Sequence, residues 1–200
     1  EFLQIFKGVG MGTTIWSPLA AGLLSGKYND GTKPMRAILT QRLYDGIVAS
    51  EAKLERAPIK SLTWKTAEAL PPARSSLSAE AIEKQIATKT LPVVSRNRPS
   101  YQLAWLRRLE QRIPIVISSL HVNDVKLLHL PAESFIEYQL RAQQTAAQSF
   151  VCTAAYGDGG PWYIPIKEEY PAGGYEVSVA FCDPDVDDIM TAGMREVLKA

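Results

Sequence analysis

One glutamate and two tyrosines carry the chemistry this sequence offers. Gly157-Asp158-Gly159-Gly160-Pro161-Trp162-Tyr163 is a glycine-rich turn that delivers an aromatic hydroxyl, and Tyr175 follows twelve residues later behind Gly173-Gly174. Glycine permits backbone angles that side chains forbid, so such a turn presents Tyr163 at a fixed point. Glu133 stands between a strand-like run and a helix start, after His129-Leu130-Pro131-Ala132. Layered α/β folds assemble their sites at such strand ends. Two readings of Glu133 stay open. Its carboxylate binds the first-turn amides of its own helix, where the dipole favours negative charge. Alternatively it is a metal ligand, since a carboxylate on a rigid strand end suits zinc. Tyr163, behind Trp162, reads equally as a packed aromatic with a hydrogen-bonded tip. Tyr175 reads equally as a core residue leading a strand over residues 177–181.

The remaining reactive side chains read as structural. His129 alternates with Leu128 and Leu130, which puts it on the opposite strand face from both, and His121 ends the strand before. Each is expected to be a satisfied or solvent-facing imidazole. Two histidines leave little material for an all-protein zinc cage. Asp158 is expected to form its turn. Asp183, Asp185, Asp187 and Asp188 lack the glycine and terminal glutamate of an EF-hand and read as a charged helix start. Cys152 and Cys182 sit in apolar runs and are expected to be two buried thiols, ahead of a disulfide and well ahead of a catalytic role.

The elements that hold these groups follow from periodicity. A short strand, Thr14-Ile15-Trp16, lies in a glycine-rich opening. Apolar residues at three- and four-residue steps from Met35 to Val48 predict a helix over 34–56, closed by Pro58. Alternation over 59–65 predicts an edge strand. Ser78 caps a short helix that Pro92 ends, and a second helix covers about 100–111. Residues 113–122 and 125–130 are strands joined by a hairpin turn at Asn123-Asp124, and Pro131 stops the second. Ser134-Phe135-Ile136-Glu137 is a capping box that starts a helix reaching about 147. Residues 150–156 and 175–181 are strands, and Asp183-Pro184 opens a terminal helix with Val186, Ile189, Met190 and Val197 facing inward. Strands alternating with helices around an antiparallel hairpin give a mixed α/β fold with layered sheet and helices.

Bulk properties narrow the class. Two hundred residues, 46% hydrophobic and 22% charged, suit a globular domain with or without an appendage. A net charge of +1 with scattered Lys and Arg argues against a nucleic-acid surface. No apolar run approaches the roughly 18–20 residues of a transmembrane segment. The start, Glu1-Phe2-Leu3-Gln4, lacks signal-peptide anatomy and an initiator methionine. The expectation is a chain that begins mid-gene or after processing, with part of a site upstream. Oligomeric state is not readable.

Taken together, Leu130-Pro131-Ala132-Glu133-Ser134-Phe135, the glycine turn, Tyr163-Ile164-Pro165, Glu169-Tyr170 and Gly174-Tyr175-Glu176 stand in the order found in neutral/alkaline ceramidases. Gly26-Lys27-Tyr28-Asn29-Asp30-Gly31 and Asn97-Arg98 before Leu103-Ala104-Trp105 resemble the same family. The resemblance covers about residues 26–200, the C-terminal half of a catalytic domain. It implies a zinc-dependent amidase of lipid metabolism, including sphingolipid metabolism, acting on a lipid amide substrate. Glu133 and Tyr163 would be two of four metal ligands, and Tyr175 the tyrosine that contacts the scissile amide. The family's other two ligands are histidines without counterparts here, so the resemblance implies a partial catalytic domain, a fragment inactive alone. It also suggests a secreted or periplasmic location. The family's Pro-Gly-Glu reads Pro131-Ala132-Glu133 here, which tightens the backbone and keeps the ligand.

Residues 8–28 tell another story. Gly10-Met11-Gly12-Thr13-Thr14-Ile15-Trp16-Ser17-Pro18-Leu19 and the run to Tyr28 resemble aldo-keto reductases similar to potassium-channel β subunits. In that family the Ser-Pro-Leu segment contacts the pyrophosphate of NADPH. The expected organisation is an aldo-keto-reductase-like segment over 1–25 and a ceramidase-like half-domain over 26–200. An NADP-binding oxidoreductase remnant is the rival function, and a non-catalytic α/β module the third.

Overall fold

A computed structural model describes residues 35–157 and 160–199. The aldo-keto-reductase-like segment, the strand expected at Thr14-Ile15-Trp16 and the turn position of Asp158 lie outside the described residues. The chain divides into two compact units, Glu1–Ala57 and Pro58–Ala200. Helix α1, Met35–Glu51, is the described element of the first unit. It exposes Leu39, Leu43 and Ile47.

The second unit is mixed α/β. Strand β1 (Leu62–Ala69) precedes helices α2 (Ala79–Ala87), α3 (Val93–Asn97) and α4 (Pro99–Glu110). Strands β2 (Ile115–Val122) and β3 (Val125–Pro131) form the hairpin expected at Asn123-Asp124, with Val122 paired to Val125. The short strand β4 (Glu133–Ser134), helix α5 (Ile136–Thr145) and strand β5 (Phe150–Gly157) follow. Strand β6 (Tyr163–Ile164), a 3-10 turn at Lys167–Glu169, and helices α6 (Tyr175–Val179) and α7 (Val186–Leu198) complete it. The main sheet has the order β1-β2-β3-β5, antiparallel except for the parallel β3-β5 pair. A parallel pair needs a crossover, and α5 supplies it. Strands β4 and β6 form a separate two-stranded sheet.

Helix α7 builds the core. Val186, Met190, Met194 and Val197 recur at helical spacing and are fully buried, over Ala67, Ile115, Ile117, Leu128 and Leu130 of the sheet. Each such side chain contributes roughly 1.5–3 kcal/mol of gross burial. Gly193 lets the helix lie close: a Cβ there would stand 2.7 Å from the Ile117 Cδ1.

Three expectations change on folding. Residues 175–179 are helix α6, not the start of a strand. Gly173 and Gly174 take φ of 78° and 98°, turning the chain, and the Arg74 guanidinium binds the Val177 carbonyl. The helix after Glu133 starts at Ile136 with Phe135 as an N-cap that makes no side-chain bond. Ser134 belongs to β4, and its hydroxyl donates to the Pro131 carbonyl at 3.0 Å. Both cysteines are free, but only Cys182 is buried, and it forms an isolated bridge with Ala73. Burial pushes the Cys182 thiol far above its ordinary range, which removes it as a nucleophile.

Candidate functional site

The site grows from the end of β3. The β3-β5 register shifts between His129 and Pro131, and Ala132 takes φ 59°. Its N–H donates to the Gly157 carbonyl at 3.0 Å, and its carbonyl accepts from the Tyr156 N–H at 2.7 Å. This kink redirects the chain into β4. There the Glu133 N–H donates to the Trp162 carbonyl at 2.8 Å, and Phe135 N–H to the Ile164 carbonyl at 3.2 Å.

The pairing in that small sheet sets the chemistry. Glu133 lies directly opposite Tyr163, and Ser134 opposite Ile164. Residues side by side on neighbouring strands send their side chains to the same face. The Glu133 carboxylate and the Tyr163 hydroxyl therefore lie on one face of the small sheet, close enough for the carboxylate to act on the phenol. Tyr175, the first residue of α6, puts its ring edge-on to Tyr163, with centroids 5.8 Å apart and planes at 78°. The structure thus brings together all three site residues expected from the sequence. Glu133 does not cap α5.

Beyond Tyr163 the chain is tied to the core. Ile164 is fully buried, the Tyr138 hydroxyl donates to the Pro165 carbonyl at 3.2 Å, and the Lys167 N–H donates to the Asp187 carboxylate at 2.9 Å. Asp187 is buried, and Arg141 donates to it. The segment that carries Tyr163 is therefore anchored immediately beyond it.

Electrostatics follow the same geometry. The Tyr163 phenol is raised above its ordinary range, first by burial, then by the hydrogen bond and charge of Glu133, then by Tyr175 and Glu176. The phenol is therefore held protonated at neutral pH.

The pair opens into a cleft of about 430 Å³. Tyr101, Tyr156 and Trp162 line it beside Glu133 and Tyr163. Trp162 stacks on Phe181 at 5.1 Å and tilts against Tyr101 at 5.6 Å, with the Arg98 guanidinium 5.8 Å from its ring centre. Tyr156 and Trp162 take φ of 71° and 64°. Left-handed backbone at a bulky residue costs about 1–3 kcal/mol, and such strain collects at functional sites. These aromatics were not singled out in the sequence as site residues. A strained aromatic leaves no mark there, because glycine is the residue that signals positive φ.

The histidines do not join the site. His121 is buried at the hairpin end of the sheet, opposite Lys126, with its Nε2 2.9 Å from the Val197 carbonyl. It is the satisfied imidazole that the sequence leads one to expect. His129 pairs with Ser118 and Ala154 and is half-buried, and its Nε2 lies where a Gly157 Cβ would stand 2.5 Å away. Among the described residues no cluster of three or more His, Cys, Asp or Glu side chains is arranged to hold a metal ion. Among the same residues no helix is long and apolar enough to cross a membrane.

No family model matches the chain. Among curated proteins, a probable voltage-gated potassium channel subunit beta of Arabidopsis thaliana is 56% identical over 34 residues, 17% of this chain and 10% of that protein. Its counterpart from Oryza sativa subsp. japonica is 53% identical over 34 residues, with the same coverage. The chain therefore spans about a tenth of the length of these curated relatives. The solved structures similar to it include two ceramidases. One is the neutral ceramidase from Pseudomonas aeruginosa, with TM-score 0.49 and 14% identity over 75% of this chain and 29% of that one. The other is a ceramidase complexed with C2, with TM-score 0.38 and 21% identity over 42% of this chain and 14% of that one.

Proposed function

We propose that this chain carries the carboxylate and phenol half of a zinc-dependent amidase site of the ceramidase type, acting on N-acyl lipid amides. The observation that carries this reading is the side-by-side placement of Glu133 and Tyr163 across β4 and β6, with Tyr175 edge-on beside them. The donor set fits in part. A carboxylate and a phenol oxygen supply two hard ligands at the rim of an open cleft, and the other two positions are filled from outside the described residues. When bound, zinc supplies a water of lowered pKa and polarises the amide carbonyl.

The residues of this chain have separate tasks. Glu133 and Tyr163 would hold the cation through a carboxylate and a phenol oxygen. Tyr175 donates its hydroxyl to the scissile amide and stabilises the negative charge that develops on the carbonyl oxygen. Hydrolysis adds one water across the C–N bond and releases a carboxylate and an amine. On this reading residues 26–200 form one ceramidase-like stretch, residues 1–25 are a separate aldo-keto-reductase-like segment, and the chain is inactive by itself.

Equilibrium dialysis against zinc tests the assignment. Two ligands give weak uptake, and Glu133→Gln abolishes it. Nanomolar uptake by the unaltered chain contradicts the half-site, and equal uptake by the Glu133→Gln variant removes Glu133 from it. The 34-residue match to potassium-channel β subunits favours a second reading, an NADP-binding remnant at the N-terminus. Quenching of protein fluorescence by NADPH supports that reading, and an unchanged spectrum rejects it.

A further inference from the structure

The feature that the proposed hydrolysis leaves unused is the aromatic wall of the cleft. Five non-glycine residues among those described have positive φ: Arg112, Asn123, Ala132, Tyr156 and Trp162. Asn123 is the ordinary hairpin case. Three of the other four, Ala132, Tyr156 and Trp162, line the one cleft that holds Glu133 and Tyr163. Bulky side chains rarely adopt this conformation, and Gly would relieve it at no steric cost.

Packing accounts for Trp162, which rests on Phe181. It does not account for Tyr156, which is 77% exposed. The backbone of Tyr156 holds the kink, its N–H donating to the Ala132 carbonyl at 2.7 Å, but its ring stands largely in water. Tyr101 on α4 repeats the pattern from the other wall. It is 59% exposed, tilts against Trp162 and lines the same cleft. Exposed aromatic rings flanking a half-buried one present apolar faces to a guest, and the phenol hydroxyls keep the rim wet.

We infer that Tyr101, Trp162 and Tyr156 form the specificity subsite of this cleft, with Trp162 as its floor, and that it takes the apolar acyl group of an amide whose carbonyl lies at Glu133 and Tyr163. The inference rests on the amidase reading for the position of the carbonyl. The cleft, the strain and the exposed rings stand without it. Tyr156 is a positioning group for the acyl chain, and its backbone strain is retained because the ring is needed there.

Calorimetric titration of the whole chain with N-decanoylethanolamine, below its micellar concentration, and with N-acetylethanolamine tests this without metal or turnover. The decanoyl amide is expected to bind at least tenfold tighter, since tenfold requires only about two buried methylenes. Tyr156→Gly and Tyr101→Ala are each expected to weaken decanoyl binding by about three- to tenfold. Tyr156→Gly is expected to do so while the melting temperature holds or rises, because the strain is gone. A structural role for Tyr156 would lower the melting temperature and leave affinity alone. Equal affinity for the two amides, or unchanged decanoyl affinity in Tyr156→Gly, overturns the subsite. If both variants lose decanoyl affinity while Glu133→Gln leaves zinc uptake unchanged, the hydrolytic reading falls and the subsite stands.

Discussion

Replacing Arg141 by methionine tests what holds the tyrosine-bearing strand in place. Asp187 on α7 is the most buried carboxylate described here, with 5% of its side chain accessible, and Arg141 on α5 is its cation. The Thr191 hydroxyl at 3.3 Å and the Lys167 N–H at 2.9 Å also donate to it. Removing one partner of a fully buried pair costs about 3–5 kcal/mol. Arg141 is 30% accessible, so water replaces part of what it supplied, and about 2–3 kcal/mol is expected. Its contact with Glu168, 3.6 Å away and largely exposed, adds about 0–1 kcal/mol. Urea denaturation should show a midpoint lower by about 1 M at unchanged slope. The Arg107–Glu83 pair, with both side chains more than half exposed, is the control. Arg107→Met should shift the midpoint by less than a quarter of that, roughly 0.5 kcal/mol or less.

The acid limb separates the same causes. Burial alone would raise the Asp187 carboxyl, but the hydrogen bonds from Arg141 and the Lys167 N–H, with the Arg141 charge, hold it below its ordinary value. A depressed carboxyl contributes stability that is present above the unfolded value near 4 and is lost as pH falls through the folded one. In Arg141→Met that loss should flatten, because burial then dominates. A variant no less stable than the Arg107→Met control, with an unchanged acid limb, would refute the reasoning.

Other expectations concern the sheet and the cleft. Burial lowers His121, the bond to Val197 opposes it, and the charges of Lys126 opposite it and of Lys65 lower it further. The unfolded chain therefore binds the extra proton, and stability should fall as pH drops below about 6.5. His121→Asn should remove that segment of the pH–stability curve in thermal melts. Gly157→Ala would place a methyl 2.5 Å from the His129 Nε2. It should cost about 1–3 kcal/mol in urea melts and displace the His129 ring, read as a shift of its imidazole NMR signals. Gly193→Val should cost at least about 2 kcal/mol, since Ile117 is fully buried and cannot yield.

The sequence disclosed elements whose signals are local. Asn123-Asp124 carries hairpin chemistry, and the apolar spacing of Val186, Met190 and Val197 identifies the buried face of α7. Ser78 caps α2 as expected, accepting from the Ala81 N–H at 3.3 Å. Signals failed where a distant strand intervened. The Ser134 capping box is overridden because residues 133–134 pair with residues 163–164, and that partner lies thirty positions away. The run after Tyr175 looked like a strand because a short apolar segment fits either period. Two consecutive positive-φ glycines turned it into a helix. Motif order singled out Glu133, Tyr163 and Tyr175, which the fold places side by side, whereas it did not single out the cleft-lining Tyr101, Tyr156 and Trp162, because only the folded backbone brings them together.

The most direct measurement is the ultraviolet difference spectrum of the whole chain on adding zinc at neutral pH. A cation shared by Glu133 and Tyr163 displaces the phenol proton, so a tyrosinate band should grow with zinc, vanish in Tyr163→Phe and in Glu133→Gln, and survive in Tyr175→Phe. A spectrum without that band, or one that Tyr163→Phe leaves intact, would contradict the account.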